Sequence, residues 1–271
     1  MNLEPPALLE PVRAIARAAG QAILQIYESD FAVEEKADHS PLTAADRAAH
    51  GVIARELQRL TPGIPVWSEE SATADYAERR TWPWFWLVDP LDGTREFIKR
   101  NGEFTVNIAL VQGHIPVLGV VHVPVLARDY YGCTSVGAWR CDGNAAPRPI
   151  SVRRPAPSPV RIVGSRSHGG DSLAVFLRHI GPHELLAMGS SLKFCVVAEG
   201  AADVYPRLGP TSEWDTAAAQ AVVEAAGGRV LDLAGQPLRY NKGQVVLNPH
   251  FVVFGDTGRD WLASLAGAPG T

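Results

Sequence analysis

Apolar residues recur at steps of three and four near the start of the chain, at Leu8, Val12, Ile15, Ala19, Ile23 and Ile26. That period lays one apolar stripe along a helix. Pro5, Pro6 and Pro11 fall at its beginning, where a missing N–H costs least. A polar stretch at 34–41 follows, and a second helix is predicted from about Thr43 to Leu60, stopped by Thr61-Pro62-Gly63. Pro65-Val66-Trp67 is short and apolar and leads into Ser68-Glu69-Glu70-Ser71; the segment Ser71 to Thr81 reads as a polar surface loop. Trp84-Phe85-Trp86-Leu87-Val88 has the unbroken apolar pattern of a buried strand, expected to end abruptly at Asp89-Pro90.

Two neighbouring strands are predicted at Phe104 to Val111 and Val117 to Val123, turning at Gln112-Gly113-His114, with shorter strands near Tyr130-Tyr131 and Ala138-Trp139. The proline-rich run Pro147 to Pro159 reads as a boundary or crossover. Beyond it strands near Ile162, Leu185 and Val204 alternate with helices from about Asp171, Ser191 and Trp214. Such alternation predicts a layered α/β fold, in two halves, 1–150 and 151–271. No internal repeat or low-complexity tract interrupts it.

Composition narrows the function classes. The chain has 271 residues, 46% hydrophobic and 20% charged, which suits a globular protein with a sizeable core. A formal net charge of −4 without a basic run argues against nucleic-acid binding through a broad electrostatic footprint. The three cysteines, Cys133, Cys141 and Cys195, include no CxxC pair, so the expectation is reduced thiols in a cytoplasmic protein. No apolar run approaches the roughly 20 residues of a membrane span, and the N-terminus lacks the pattern of a signal peptide. Peripheral association with the inner membrane, and the choice between monomer and homodimer, stay open.

The densest chemical signal is Asp89-Pro90-Leu91-Asp92-Gly93-Thr94. A carboxylate at the C-terminal end of a buried strand lies where α/β folds form ligand crevices. Asp92 can aim at the same point across the turn, and the turn can free the Leu91 carbonyl to face a cation. Gly93 allows close backbone approach, and Thr94 opens a short helical pattern whose N–H groups favour phosphate. Taken alone, an Asp-Gly turn is ordinary. An Asp in a first helical turn, as expected for Asp215, usually just complements the dipole, and Asp46 in Thr43-Ala44-Ala45-Asp46 reads by default as part of a cap. Together with Glu69-Glu70, however, these residues supply many hard oxygen donors without His or Cys, which points to Mg²⁺ or Mn²⁺ rather than zinc. Two such ions about 4 Å apart would relieve the carboxylate repulsion and clamp a phosphoryl transfer.

Three separated motifs carry a resemblance: Trp67-Ser68-Glu69-Glu70-Ser71, Asp89 to Thr94, and Trp214-Asp215-Thr216-Ala217-Ala218. In this order they resemble the inositol monophosphatase superfamily of lithium-sensitive, Mg²⁺-dependent phosphatases. The stretch Asp92 to Asn107, with Ser165-Arg166-Ser167-His168, Gly189 to Cys195 and Tyr205-Pro206-Arg207, is closer still to the bacterial 3'(2'),5'-bisphosphate nucleotidase branch; Arg95 stands where that branch often has Lys. The resemblance implies an α-β-α-β-α layered sandwich. It implies one metal on Glu69, Asp89 and the Leu91 carbonyl, a second on Asp89, Asp92 and Asp215, and a third touched by Glu69. Asp46 and Thr94 would activate the attacking water, with Glu70 beside them as a further catalytic candidate, and Gly93 and Thr94 would hold the phosphate.

The substrate reading rests on fewer residues. A nucleotide bisphosphate needs positive charge away from the metals, for which Lys193 and Arg207 are candidates, with Ser190 and His168 as hydrogen-bond donors. Lys193 on a helix is otherwise an ordinary solvated lysine. An Arg suits phosphate through its planar fork, so the expected substrate is 3'-phosphoadenosine 5'-phosphate, cleaved to AMP, with its sulfated precursor as a second. An inositol-1-phosphate phosphatase and a non-catalytic metal or nucleotide sensor are the alternatives. Li⁺ is expected to inhibit.

Overall fold

The structure is a computed structural model and describes residues 3–28, 33–35, 41–71, 74–164 and 171–265. Helix α1 (Pro5–Tyr27) and helix α2 (Ala44–Leu60) flank a short antiparallel pair, β1 (Val33–Glu35) and β2 (Pro41–Thr43). Then come β3 (Val66–Ser68), the one-turn helix α3 (Tyr76–Arg79), β4 (Trp84–Asp92) and helix α4 (Thr94–Ile98). A meander follows: β5 (Thr105–Gln112), β6 (Ile115–Val123), β7 (Arg128–Cys133), β8 (Gly137–Asp142) and β9 (Arg148–Ile150). The rest of the chain supplies β10 (Val160–Gly164), α5 (Asp171–Ile180), β11 (His183–Ala187), α6 (Leu192–Ala198), β12 (Val204–Arg207), α7 (Ala217–Ala225), β13 (Arg229–Asp232) and β14 (Phe251–Phe254).

Strands β3 to β9 form one seven-stranded sheet in chain order, parallel only between β3 and β4. The other sheet has five strands in the order β11-β10-β12-β14-β13, and its strands lie between residues 160 and 254. Alternation along the strands decides the layers, because successive side chains face opposite sides. On β5, Ile108 and Leu110 join the core beneath α1 and α2, while Ala109 and Val111 join the core containing α6 and α7. On β14, Phe251 and Val253 face that same middle core, and Val252 and Phe254 face a third one with Phe176 and Ile180 of α5. The sequence of layers is therefore helix, sheet, helix, sheet, helix, as the resemblance implied. No described helix is long and apolar enough to cross a membrane.

Several expectations need correction. Strand β4 does not stop at Asp89; it runs through Pro90 to Asp92, with its pairing to β5 irregular between Asp89 and Asp92. A proline is tolerated there because the ladder is already broken. Helix α7 begins at Ala217 rather than Trp214, so Asp215 lies ahead of the helix and not in its first turn. The segment read as polar surface loop contains α3, and Arg79 at its end is buried under the Trp67 ring, its guanidinium 4.1 Å from the ring centre. The proline-rich boundary opens with β9 before it becomes irregular. The three cysteines, by contrast, are buried and unpaired with one another, as reduced thiols would be.

Candidate active site

Glu69, Asp89, Asp92 and Asp215 reach one cavity of about 360 Å³, whose wall also includes Leu91, Gly93, Thr94, Ser190, Lys193 and Arg207. Each carboxylate is delivered by a different local device. Glu69 follows β3 at a tight turn: Ser71 Oγ donates to the Ser68 carbonyl at 2.8 Å, and the Glu69 N–H donates to the Val88 carbonyl at 3.1 Å. That bond sets Glu69 beside Val88, the residue before Asp89 on β4. Asp89 is buried, and its Oδ1 accepts the Leu91 N–H at 3.0 Å, shaping the irregular end of the strand. Asp92 sits three residues on, and its Oδ2 accepts the Ser191 N–H at 2.6 Å and the Ser191 hydroxyl at 2.7 Å. Asp215 accepts the Ser212 N–H at 2.9 Å and so folds its own approach to α7.

Gly93 has φ +92°, a conformation open to glycine. A Cβ there would lie 3.2 Å from the Glu103 carbonyl and 3.3 Å from Ser190 Cβ. The wall opposite Gly93 is the loop at 188–191, which charged groups hold from several sides. Glu103 Oε2 accepts the Gly189 N–H at 2.8 Å, and Lys193 Nζ donates to the Ser190 carbonyl at 2.6 Å. Ser190 itself has φ +44°, a strained value for a residue with a Cβ. Lys193 is accordingly buried rather than solvated. Arg207 Nη2 donates to the Pro210 carbonyl at 2.7 Å, which anchors its fork at the cavity wall.

Electrostatically the cavity is short of positive charge. Burial pushes the Asp89 carboxyl well above the usual range, and Glu69, Asp92, Asp215 and Asp46 push it further in the same direction. Asp215 is raised for the same reasons, burial first and then Asp92, against opposition from the Ser212 N–H. Burial lowers the Lys193 ammonium to about 8, with Asp92 opposing. Buried carboxylates that raise one another in this way are a donor set for a hard cation. Among the described residues no three acidic, His or Cys side chains close on one point as they stand. The four carboxylates line the same cavity.

Most of the residues singled out from the sequence meet here, with differences. Asp46, in the first turn of α2, is buried and off the cavity wall, yet close enough for its charge to raise Asp89. Glu70 is half-buried and also off the wall. Thr94 Oγ1 donates to the Leu91 carbonyl at 3.4 Å. His168 lies outside the described residues. Two residues escaped the sequence reading as functional candidates, Ser191 and Asn107, whose polar groups converge on Asp92. Asn107 in a strand otherwise apolar from Val106 to Val111 was the available signal.

The comparisons with known proteins agree with this geometry. The chain is 52% identical over 248 residues to the 3'(2'),5'-bisphosphate nucleotidase CysQ of Salmonella typhimurium, covering 91% of this chain and 99% of the relative. The corresponding protein of Escherichia coli is 50% identical over the same spans. A solved structure of CysQ from Bacteroides thetaiotaomicron, described as a bacterial member of the inositol monophosphatase family, superposes with a TM-score of 0.79 at 44% identity, covering 93% of this chain and 98% of the other. The sequence pattern of the inositol monophosphatase family matches residues 7–263, and the chain belongs to that family.

Proposed function

We propose that this protein is a Mg²⁺-dependent phosphomonoesterase that hydrolyses 3'-phosphoadenosine 5'-phosphate to AMP and phosphate, and accepts the sulfated precursor as a second substrate. The observation that carries the reading is the pairing, in one cavity, of four carboxylates with Lys193 and Arg207 on the wall. The acidic side suits metal ions, and the basic side suits a second phosphate. The names of relatives about half identical over nearly the whole chain support the same substrate class.

Glu69, Asp89, Asp92, Asp215 and the Leu91 carbonyl would hold two to three Mg²⁺ ions, replaceable by Mn²⁺ and antagonised by Li⁺. When bound, such ions supply positive charge for the phosphoryl group and lower the pKa of water. The chain's own residues do the rest. The Gly93 and Thr94 N–H groups face the transferred phosphoryl group. Thr94 Oγ1 orients the attacking water and passes its proton to Asp46, which is off the cavity wall, with Glu70 supporting the Glu69 turn from the next position. Lys193 and Arg207 receive the remaining phosphate, assisted by Ser190 and His168. The setting of the reaction is the cytoplasm, and the product class, a nucleoside monophosphate, fits disposal of a by-product of sulfate activation.

The test is phosphate release from 3'-phosphoadenosine 5'-phosphate and from inositol-1-phosphate, each with Mg²⁺ and with chelator. A Mg²⁺-dependent kcat/KM at least tenfold higher for the nucleotide is expected, abolished by chelator and depressed by millimolar Li⁺. Preference for inositol-1-phosphate would overturn the substrate assignment and keep the metal chemistry. Binding of the nucleotide without release from either compound would favour a sensor.

A further inference from the structure

Ser191 stands at the N-cap of α6, where a serine ordinarily accepts an N–H from the first helical turn. Here it makes no such bond. Its hydroxyl lies 2.7 Å from Asp92 Oδ2 and 2.7 Å from the Asp215 carbonyl oxygen, and it accepts from Asn107 Nδ2 at 2.9 Å. A hydroxyl has one proton and room for two acceptor bonds. Asn107 occupies an acceptor position, and the single proton serves Asp92 and the Asp215 backbone in turn. Both Ser191 and Asn107 are nearly inaccessible to solvent, at 2% and 1%, so these bonds face no competition from water.

The connection ties the segment ahead of α7 to β4 and β5, which are already paired with each other in the seven-stranded sheet. Asp92 ends β4, Asn107 lies on β5 opposite Asp89, and Asp215 precedes α7. Every hydrogen bond to Asp92 among the described residues falls on Oδ2: from the Ser191 N–H, the Ser191 hydroxyl, Asn107 and Thr105. The other oxygen is left for the cavity. A carboxylate whose one oxygen is pinned by outer partners presents the other in a fixed direction, and such partners tune metal affinity.

We infer that Ser191, supported by Asn107, is a positioning residue that sets the spacing of Asp92 and Asp215 and so the affinity of the cavity for its divalent cation. The inference rests on the metal-dependent reading above. It assigns the serine a role separate from capping α6.

Mn²⁺ binding by calorimetry without substrate, and the rise in melting temperature that Mn²⁺ produces, are the readouts. They are measured in the wild type, Ser191→Ala, Ser191→Cys and Ser191→Thr. The expected result is about tenfold or greater loss of Mn²⁺ affinity in the Ala and Cys variants. Their kcat recovers at saturating Mg²⁺, and the Thr variant, which keeps the hydroxyl, binds closer to wild type. Ser191→Cys keeps the side chain's size and serves if the Ala variant fails to fold. A folded Ala or Cys variant that binds Mn²⁺ within twofold of wild type overturns the inference, even if its chelated form melts lower, because the serine then only supports α6. A wild type that binds no Mn²⁺ overturns the metal reading itself, and the inference with it.

Discussion

Asp89 concentrates the electrostatic problem of the cavity in one side chain. It is fully enclosed, and four other carboxylates raise it further. Its ionised form is a burden to the metal-free fold and an asset once a cation arrives. Asp89→Asn should therefore melt higher than wild type when both are chelated, and should lose the stabilisation that Mg²⁺ gives wild type. Its kcat should fall by roughly a thousandfold or more, the scale of several kcal/mol of charge stabilisation. Calorimetry with and without chelator and a phosphate-release assay check both halves. Lys193 poses the opposite problem, since burial lowers its ammonium to about 8. Its positive charge is present below that pH and fades above it. The kcat/KM for an anionic substrate should thus decline as pH passes about 8, and Lys193→Met should remove that limb while raising KM about tenfold. The carboxylates were legible in the sequence because hard oxygen donors recur there without His or Cys, whereas Lys193 was singled out only through the family resemblance and reads by itself as a solvated helix lysine. Ser191 and Asn107 were not, because a serine at a helix start has an ordinary use and only coordinates show that its hydroxyl is spent elsewhere.

At the scale of elements, the site depends on how closely α7 lies on the seven-stranded sheet. A Cβ on Gly119, in the middle of β6, would come 2.0 Å from the Ala218 carbonyl oxygen. The obstacle is backbone, so the helix must move, and Asp215 lies just ahead of that helix. Gly119→Ala should cost about 3 kcal/mol of stability or more, read by denaturant unfolding, and should weaken activity in the fraction that folds. Helix α1 could be read from its one-sided apolar period and α2 from its stop at Thr61-Pro62-Gly63, while the β5–β6 pair showed as long apolar runs about a turn because both faces of β5 are buried. The short strands β13 and β14 were missed, since four-residue segments barely establish a period. Strand β4 was read too short because Pro90 normally ends pairing, whereas here it sits within an irregularity that carries Asp89 and Asp92 at its two ends. The polar run at 71–81 hid a structural arginine: Arg79 donates to Asn241 Oδ1 at 2.6 Å, and the Asn241 N–H donates to Glu213, two residues before Asp215.

For the whole molecule, the alternation of elements predicted a layered α/β fold and the resemblance implied the order of its layers, while the strand order β11-β10-β12-β14-β13 followed from neither. Order within a sheet depends on long-range pairing that local pattern does not encode. The cavity draws Glu69, Asp89 and Asp92 from the first part of the chain and Lys193, Arg207 and Asp215 from more than a hundred residues later. Global stability should accordingly respond to cation and pH together. Asp89 and Asp215 have folded pKa values raised above their unfolded ones. Between those values the native state binds more protons, so the chelated protein loses stability as pH rises from the ordinary carboxylate range toward neutrality. Saturating Mg²⁺ should restore that loss at neutral pH by mass action. Thermal melts at pH 5 and 7, with and without Mg²⁺, test the sign.

The most direct test of the metal-holding cavity is an anomalous-difference map from crystals grown with Mn²⁺. Peaks bounded by Glu69, Asp89, Asp92 and Asp215, with the Leu91 carbonyl turned toward one of them, are the predicted result. A map from an active, Mn²⁺-saturated enzyme with no peak at these carboxylates would contradict the account.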